Sequence, residues 1–524
     1  MPDAGLPVRF GWFLVPDAAD PQGLIRDARL AEQTGFDLIG IQDHPYQRRY
    51  LDTFSLLAAL ATATERIRLF PDVACLPLRH PAMLAKAAAS IDLLSDGRFE
   101  LGLGAGAFWD AIVAMGGPRR APGEAVDALE EAIALLRLLW SDQRSVRFTG
   151  QHYRVAGVKP GPAPAHPMGI WVGAFGPRML ALIGRVADGW VPSSTYVTPD
   201  RLPAAQARID DAAAAAGREP AAIRRLYNIS GRIGPGGGGF LDGPASQWVE
   251  QLLPLVTEVG MDTFSLLAAL ATATERVRLF PDVACLPLRH PAMLAKASTS
   301  IDLLSDGRFE LGLGAGAFWD AIAAMGGPRR APGEAVEALE EAIALLRPLW
   351  VGGSGAQAAE GDSPRPQGPR SVRFTGQHYR VAGVKPGPAP AHAIGIWVGA
   401  FGPRMLGLIG RVADGWVPSS TYATPERLPA AQARVDDAAA AAGRDPAAIR
   451  RLYNINGRIG PGGGGFLDGP AGQWVEQLLP LVTEVGMDTF VLWPAEDPAR
   501  QVRLFADEVA PALREAVAAH RGRG

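Results

Sequence analysis

Short, unbroken apolar runs alternate with stretches of helical periodicity along most of this chain. The runs at 8–15 (VRFGWFLV) and 37–42 (DLIGIQ) each end in proline and aspartate, and read as buried strands. A third run at 67–75 (IRLFPDVAC) also reads as a strand. Between them, 21–34 and 53–64 place apolar side chains at helical spacing. A helix over 81–94 opens with proline in its first turn, a favoured position, and a fourth strand at 98–103 runs into Gly104-Ala105-Gly106. A long helix at 122–140 precedes a hairpin at 145–158 and a proline-rich loop. Strands at 170–172, 189–192 and 223–233 then alternate with helices at 178–187, 203–216 and 247–259, with a glycine loop at 234–239. The eighth strand is 490–493 (FVLW), and a terminal helix follows at 498–518. Continuously apolar strands separated by helices specify a parallel sheet covered on both faces. Eight such units make an α/β fold, a (β/α)8 TIM barrel, whose chemistry sits on the loops after the strands.

The pattern also repeats. DTFSLLAALATATER occurs at 52–66 and again at 262–276. The block 52–140 returns as 262–350, and 145–264 returns as 371–490, with scattered changes such as Ile67/Val277 and Leu138/Pro348. A head, 1–51, and a tail, 491–524, occur once. This order of head, body, body and tail reads as two tandem units fused through the letters DTF. It predicts a barrel copy one over 1–263 with strands one to seven and no eighth, because Phe264 runs straight into helix-forming sequence. Copy two, 264–524, would carry strands three to eight and lack the first two. Its polar, glycine- and proline-rich stretch within 351–370 reads as a flexible surface loop.

Composition narrows the function. A net charge of -3 and a pI near 6.3 give no electrostatic footprint for nucleic acid or an anionic membrane. The two cysteines, Cys75 and Cys285, are copies of one position, so neither a disulfide framework nor a metal site is expected. No apolar stretch reaches the roughly 18 residues of a membrane helix, and the N-terminus lacks a secretory pattern; a cytoplasmic protein is the expectation. The sequence has no G-x-S-x-G elbow, H-E-x-x-H or P-loop. Gly102-Leu103-Gly104-Ala105-Gly106 has the wrong spacing for a dinucleotide fingerprint.

Three stretches carry a resemblance: RHPAMLAKAAASIDLLSDGRFELGLGAG at 79–106, IWVGAFGPRML at 170–180 and ADGWVPS at 187–193. Together they resemble the bacterial luciferase-like monooxygenase superfamily, and more narrowly its branch that uses the deazaflavin F-420. The resemblance implies an oxidoreductase or monooxygenase that takes F-420 or FMN and a small organic substrate, with a homodimer as a permitted assembly. It implies that Asp43 and His44, closing the second strand, are the catalytic pair; histidine titrates near neutrality and can act as acid, base or ring partner. It places a non-prolyl cis peptide at Val73-Ala74, behind the cofactor ring. It assigns cofactor contacts to Gly104 and Gly106, and the cofactor phosphate to Gly173, Ala174, Phe175 and Gly176 with Arg178 as charge partner, since glycines permit close approach and helix N-termini attract phosphate. The broken repeat carries a second reading, a non-catalytic fusion product of two such units.

Overall fold

A computed structural model of the 524-residue chain describes residues 8–233, 240–259, 261, 263–265, 278–351 and 371–521. Body one begins with β1 (Arg9–Leu14), α1 (Gly23–Gln33), β2 (Leu38–Ile41) and α2 (Thr53–Ala63). It continues through β3 (Arg68–Pro71), β4 (Ala74–Cys75), α3 (Pro81–Leu94), β5 (Leu101–Gly104), α4 (Trp109–Ala114) and α5 (Pro122–Leu139). An antiparallel hairpin, β6 (Val146–Thr149) and β7 (Arg154–Val158), leads to β8 (Ile170–Val172), α6 (Pro177–Val186), β9 (Gly189–Trp190) and α7 (Leu202–Ala215). The body ends with β10 (Arg224–Asn228), the short pair β11 (Arg232–Ile233) and β12 (Asp242–Gly243), α8 (Ala245–Thr257) and β13 (Thr263–Ser265).

The large sheet runs β3-β2-β1-β13-β10-β9-β8-β5-β4. Its two ends, β3 and β4, are halves of one strand interrupted at Asp72-Val73, and a bridge from Leu69 to Phe99 ties β3 to the approach to β5. The path therefore closes into a parallel eight-stranded barrel. Here the expectation that copy one lacks an eighth strand is corrected. Thr263–Ser265 lies between β1 and β10, with Phe264 opposite both Phe10 and Tyr227. Strand pairing is a backbone interaction, so three extended residues of the seam suffice, and the boundary drawn at 263/264 falls inside β13. The helix-forming repeat that follows, 266–277, lies outside the described residues, as do the glycine loop 234–239 and the inserted stretch 352–370. The barrel interior is filled by Leu38, Phe70, Trp171, Val191 and Leu226, with Phe70 and Trp171 edge to face at 5.0 Å.

Body two repeats the order as β14 (Ala284–Cys285), α9 (Pro291–Leu304), β15 (Leu311–Gly314), α10 (Trp319–Ala324) and α11 (Pro332–Trp350). Then come the hairpin β16 (Val372–Thr375) and β17 (Arg380–Val384), β18 (Ile396–Val398), α12 (Pro403–Val412), β19 (Gly415–Trp416) and α13 (Leu428–Ala441). It closes with β20 (Arg450–Ile459), β21 (Asp468–Gly469), α14 (Ala471–Thr483), β22 (Thr489–Pro494), α15 (Pro498–Leu504) and α16 (Ala510–Arg521). Among the described residues β22 pairs only with β20, so this sheet stays open where copies of β1 and β2 would sit. No helix among the described residues is long and apolar enough to cross a membrane.

The bodies pack reciprocally. His290 abuts Gly116, and His80 abuts Gly326; each glycine has a positive φ (+87° and +83°) and no room for a Cβ, which would lie 2.4 and 2.9 Å from the facing imidazole. Met115 joins the core of body two, and Met325 packs on that of body one. Apolar almost all round, α2 is buried between α3 and α9. The end of the head and the start of the first repeat hold α9 directly: the Ser300 hydroxyl accepts from the Asp52 N–H at 2.6 Å, and Lys296 Nζ donates to the carbonyls of Gln47 and Gly387 at 2.7 and 2.9 Å.

Burial pushes the Lys296 ammonium down to about 7, with the Asp52 carboxylate opposing. Between that value and its ordinary one near 10.5 the unfolded chain keeps a proton the folded chain has released, so stability rises with pH across the window. Below it both states are protonated, and the fold carries the whole cost of the buried charge. Lys296→Met should therefore flatten the rise in melting temperature between neutral and alkaline pH. Parallel slopes for wild type and variant in a scan of melting temperature against pH would count against this assignment.

Candidate active site

The mouth of body one is built by loops at the C-terminal ends of its strands. Asp43 opens the loop after β2 with a fully buried carboxylate. Arg79 donates from Nε and Nη2 to its two oxygens at 2.8 and 2.7 Å, and the Cys75 N–H donates at 2.8 Å. Burial alone would raise this carboxyl; the Arg79 charge and these hydrogen bonds outweigh it and hold it below its ordinary value. Arg79 also donates to Asp52 at 2.9 Å and lies over the Phe54 ring at 4.4 Å. Asp43 is thus an anchor that fastens the β2 loop to β4 and α2.

His44 follows at the rim. Its Nδ1 and the Tyr46 hydroxyl are 2.5 Å apart, and its ring meets the edge of Phe108 at 5.4 Å. Burial lowers its basicity, with the Asp43 charge opposing, so the imidazole is neutral at physiological pH. Burial likewise keeps the Tyr46 phenol protonated. Across the opening, Phe175 stacks on Tyr196 at 5.5 Å and 13°, and both are exposed along with Phe108. These exposed aromatic faces form a rim suited to a planar ligand.

The non-prolyl cis bond lies at Asp72-Val73, one peptide before the expected Val73-Ala74, and again at Asp282-Val283 in body two. A bond's isomer cannot be read from residue identity, and the strand break falls where the chain leaves β3. The Val73 side chain projects between Gly104 and Gly173, where added Cβ atoms would lie 2.8 and 3.0 Å from its methyls. Ala74 is buried in β4. Gly106 has φ +99°, and a Cβ there would fall 2.7 Å from Pro77, so only glycine serves. Gly176 caps α6 and Pro177 is its first residue. Arg178 is exposed and paired with Asp127 of α5 at 2.9 Å, on the outer side of the turn. Ala174 accepts from the Trp190 indole at 2.8 Å, which fixes the backbone of this loop.

Three residues outside the expected set complete the mouth. Asp72 is 7% exposed; its Oδ1 accepts from the Asn228 amide at 2.9 Å, while Oδ2 is buried without a partner. Oδ2 lies 2.9 Å from where a Gly40 side chain would begin, so it occupies the barrel interior above Phe70. Burial pushes this carboxyl up to about 7, with the Asn228 bond opposing. Asn228 Oδ1 and Gln42 Oε1 are likewise buried and unpartnered. Their sequence signal is a polar residue within or closing a strand: Gln42 closes DLIGIQ, Asp72 interrupts IRLFPDVAC and Asn228 closes RRLYN. A separate groove of about 550 Å³, lined by Glu130, Arg137, Arg185 and Asp188, lies on the outer surface near the start of β9, away from the mouth. Its charges are paired, Arg185 with Glu130 and Arg137 with Asp188, which leaves it a solvated surface. Among the described residues no cluster of three or more potential ligands could hold a metal ion.

Comparison with known proteins matches the family model described as luciferase-like monooxygenase to residues 8–231 and 248–456. The chain is 36% identical over 220 residues to the F420-dependent hydroxymycolic acid dehydrogenase of Mycobacterium tuberculosis, covering 40% of this chain and 59% of that one. It is 34% identical over 195 residues to the F420-dependent glucose-6-phosphate dehydrogenase of Intrasporangium calvum, covering 36% of this chain and 58% of that one. The chain thus spans under two thirds of either relative. A solved F420-dependent secondary alcohol dehydrogenase in complex with an F420-acetone adduct overlays 50% of this chain at 18% identity, with a TM-score of 0.46.

Proposed function

Because this chain belongs to the luciferase-like monooxygenase family, we propose that body one is an F-420- or flavin-dependent oxidoreductase acting on a small organic substrate. The observation that carries this reading is ring closure. The barrel brings His44, which the sequence encodes only in the head, to the same mouth as the Val73 projection and the glycine turns after β5 and β8. The residues fit a planar redox cofactor: Val73 and Gly104 would support the ring, the loop Gly173–Gly176 would receive a phosphate, and the aromatic rim would wall it. When bound, that cofactor supplies hydride exchange, or oxygen insertion if it is reduced FMN. The F420-dependent names of both relatives support the deazaflavin.

The protein's own part is orientation and proton management. Asp43 and Arg79 hold the β2 loop so that the neutral imidazole of His44 stands at the rim. For its second nitrogen to take a proton, Nδ1 must carry hydrogen and donate it to the Tyr46 oxygen. Phe108, Phe175 and Tyr196 would exclude water from the bound reactants. Body two has no counterpart of Gln42, His44 or Tyr46, because the head occurs once. We accordingly assign catalysis to body one, closed by the seam strand, and a supporting role to body two. Titrating the full chain with F-420 while following cofactor fluorescence should give one binding site per chain. Two sites would overturn the assignment to body one alone, and none with either F-420 or FMN would favour the non-catalytic fusion.

A further inference from the structure

We infer that Lys296 of body two is a positioning residue for His44 of body one, so that the loop bearing the imidazole is set by both halves of the chain. The inference rests on the active-site reading above and deepens it by naming what body two supplies to that site.

Two copies of one helix show the difference. Helices α3 and α9 both open PAMLAKA, and each carries a lysine with a serine four residues on: Lys86 and Ser90, Lys296 and Ser300. Their local bonds match. Each serine hydroxyl donates to the lysine carbonyl at 2.8 Å, and each ammonium donates to a glycine carbonyl after the hairpin, Gly161 at 2.6 Å and Gly387 at 2.9 Å. Lys86 is exposed, whereas Lys296 is 5% exposed and makes a further bond to the Gln47 carbonyl at 2.7 Å. Ser300 likewise accepts from the Asp52 N–H. Both additions go to the loop after β2.

The loop carries this hold to His44. The Gln47 N–H donates to the His44 carbonyl at 2.9 Å, and the Gln47 carbonyl also accepts from the Tyr50 N–H at 3.2 Å, so Lys296 grips an atom shared by two turns. Tyr46, the partner of His44 Nδ1, packs on the core of body two. Pro45 shares a small cavity with Lys296, Thr299 and Lys385, and Arg48 lies against Gly387. Arg49 and Leu51, by contrast, are tied to the head itself through Ala18 and Pro16. Arg79 anchors the loop at Asp43, and from His44 to Arg48 it leans on body two. Burying an ammonium costs free energy that an apolar side chain at this position would not. The charge suits a directional task, since three donors on one long stem reach carbonyls of two separate loops at once.

The test uses the full chain with carbon-13-labelled histidine. Magnetic resonance follows the His44 imidazole, the signal missing from His44→Ala, across pH in wild type, Lys296→Met and Ser300→Ala, with Lys86→Met and Ser90→Ala as the matching changes in body one. A loosened loop exposes the ring to water, so its titration should move up toward the ordinary value near 6.5 in Lys296→Met and Ser300→Ala and stay in place in the other two. Asp43 and Tyr46, the titratable groups beside the ring, are the same in all four. Ser300→Ala removes no charge, so its shift reports the position of the loop and not the loss of a cation; it also decides the matter should Lys296→Met fail to fold. Amide exchange at 44–48 should quicken roughly tenfold in Lys296→Met, as for one lost hydrogen bond. A His44 titration unmoved in Ser300→Ala and in folded Lys296→Met, or moved equally by the body-one changes, would overturn the positioning role. Cofactor fluorescence titration of the wild type keeps the two readings apart. F-420 binding with an unmoved His44 removes the positioning role alone, whereas no binding of F-420 or FMN alongside a shifted His44 removes the redox reading and leaves the hold on the loop standing.

Discussion

Arg79→Ala lowers the stability of body one by about 3–5 kcal/mol, while the same change at its repeat copy, Arg289→Ala, stays within about 0.5 kcal/mol. The two arginines sit in identical sequence, LPLRHPAMLAK, and differ only in what the rest of the chain offers them. Arg79 is 13% exposed and serves two buried carboxylates, those of Asp43 and Asp52. Asp52 in turn caps α2 through the Ser55 N–H at 2.9 Å, and α2 is the helix wedged between the bodies. Truncating Arg79 strands the fully buried Asp43 charge, removes the tie on the helix cap, and leaves Phe54 without its cation. Arg289 is exposed, because the head that carries Asp43 is encoded once.

The sign of the pH dependence follows from the depressed Asp43 carboxyl. Its stabilisation is fully present above the ordinary carboxylate value and is lost as pH falls through the lower, folded one. Wild type should therefore lose body one under acid conditions, whereas Arg79→Ala should begin to fail at higher pH. Hydrogen exchange measured on peptides from each body separates the outcomes. Faster exchange in α2 and the β2 loop, with body two unchanged, is the expected pattern. Equal penalties for the two arginines would show that the clamp contributes nothing the repeat does not.

That same pair shows what the sequence made visible and what it hid. Helix α3 and strand β8 lie at 81–94 and 170–172, where the sequence pattern predicts them, since both are set locally and α3 has a proline start. The barrel was legible because eight apolar runs separated by helices leave few other packings. Two things were not local. Ring closure by Thr263–Ser265 depends on backbone pairing with Arg9–Gly11, over 250 residues away, and its residues read as the approach to a helix. The resemblance pairs Asp43 with His44 as catalytic residues at the end of the second strand. The partner of Asp43 is 36 residues downstream, and only the fold shows that both of its oxygens are already committed. Asp72 carries no such sign: one aspartate in an apolar run points to no role until the register places it inside the barrel.

The division of labour between Asp43 and His44 yields the second large effect. His44→Ala should reduce turnover by about two to four orders of magnitude, the usual worth of a positioned acid or base, while the melt of the protein barely changes. The geometry separates these outcomes. Asp43, locked by Arg79 and the Cys75 N–H, keeps the loop in place whatever side chain follows. His44 contributes one hydrogen bond to Tyr46 and an edge contact with Phe108, both at a partly open rim. The pH profile identifies the role. Burial lowers the imidazole below its ordinary value near 6.5, so the base form persists into mildly acidic solution and activity should fall only below that point. In His44→Ala that acidic limb should disappear from kcat/KM, leaving a flat, low rate. Tyr46→Phe should keep the limb but move it, since it removes only the partner at Nδ1. A variant that keeps the acidic limb unchanged, or that loses cofactor binding together with turnover, would show that His44 holds the bound ring in place and takes no proton.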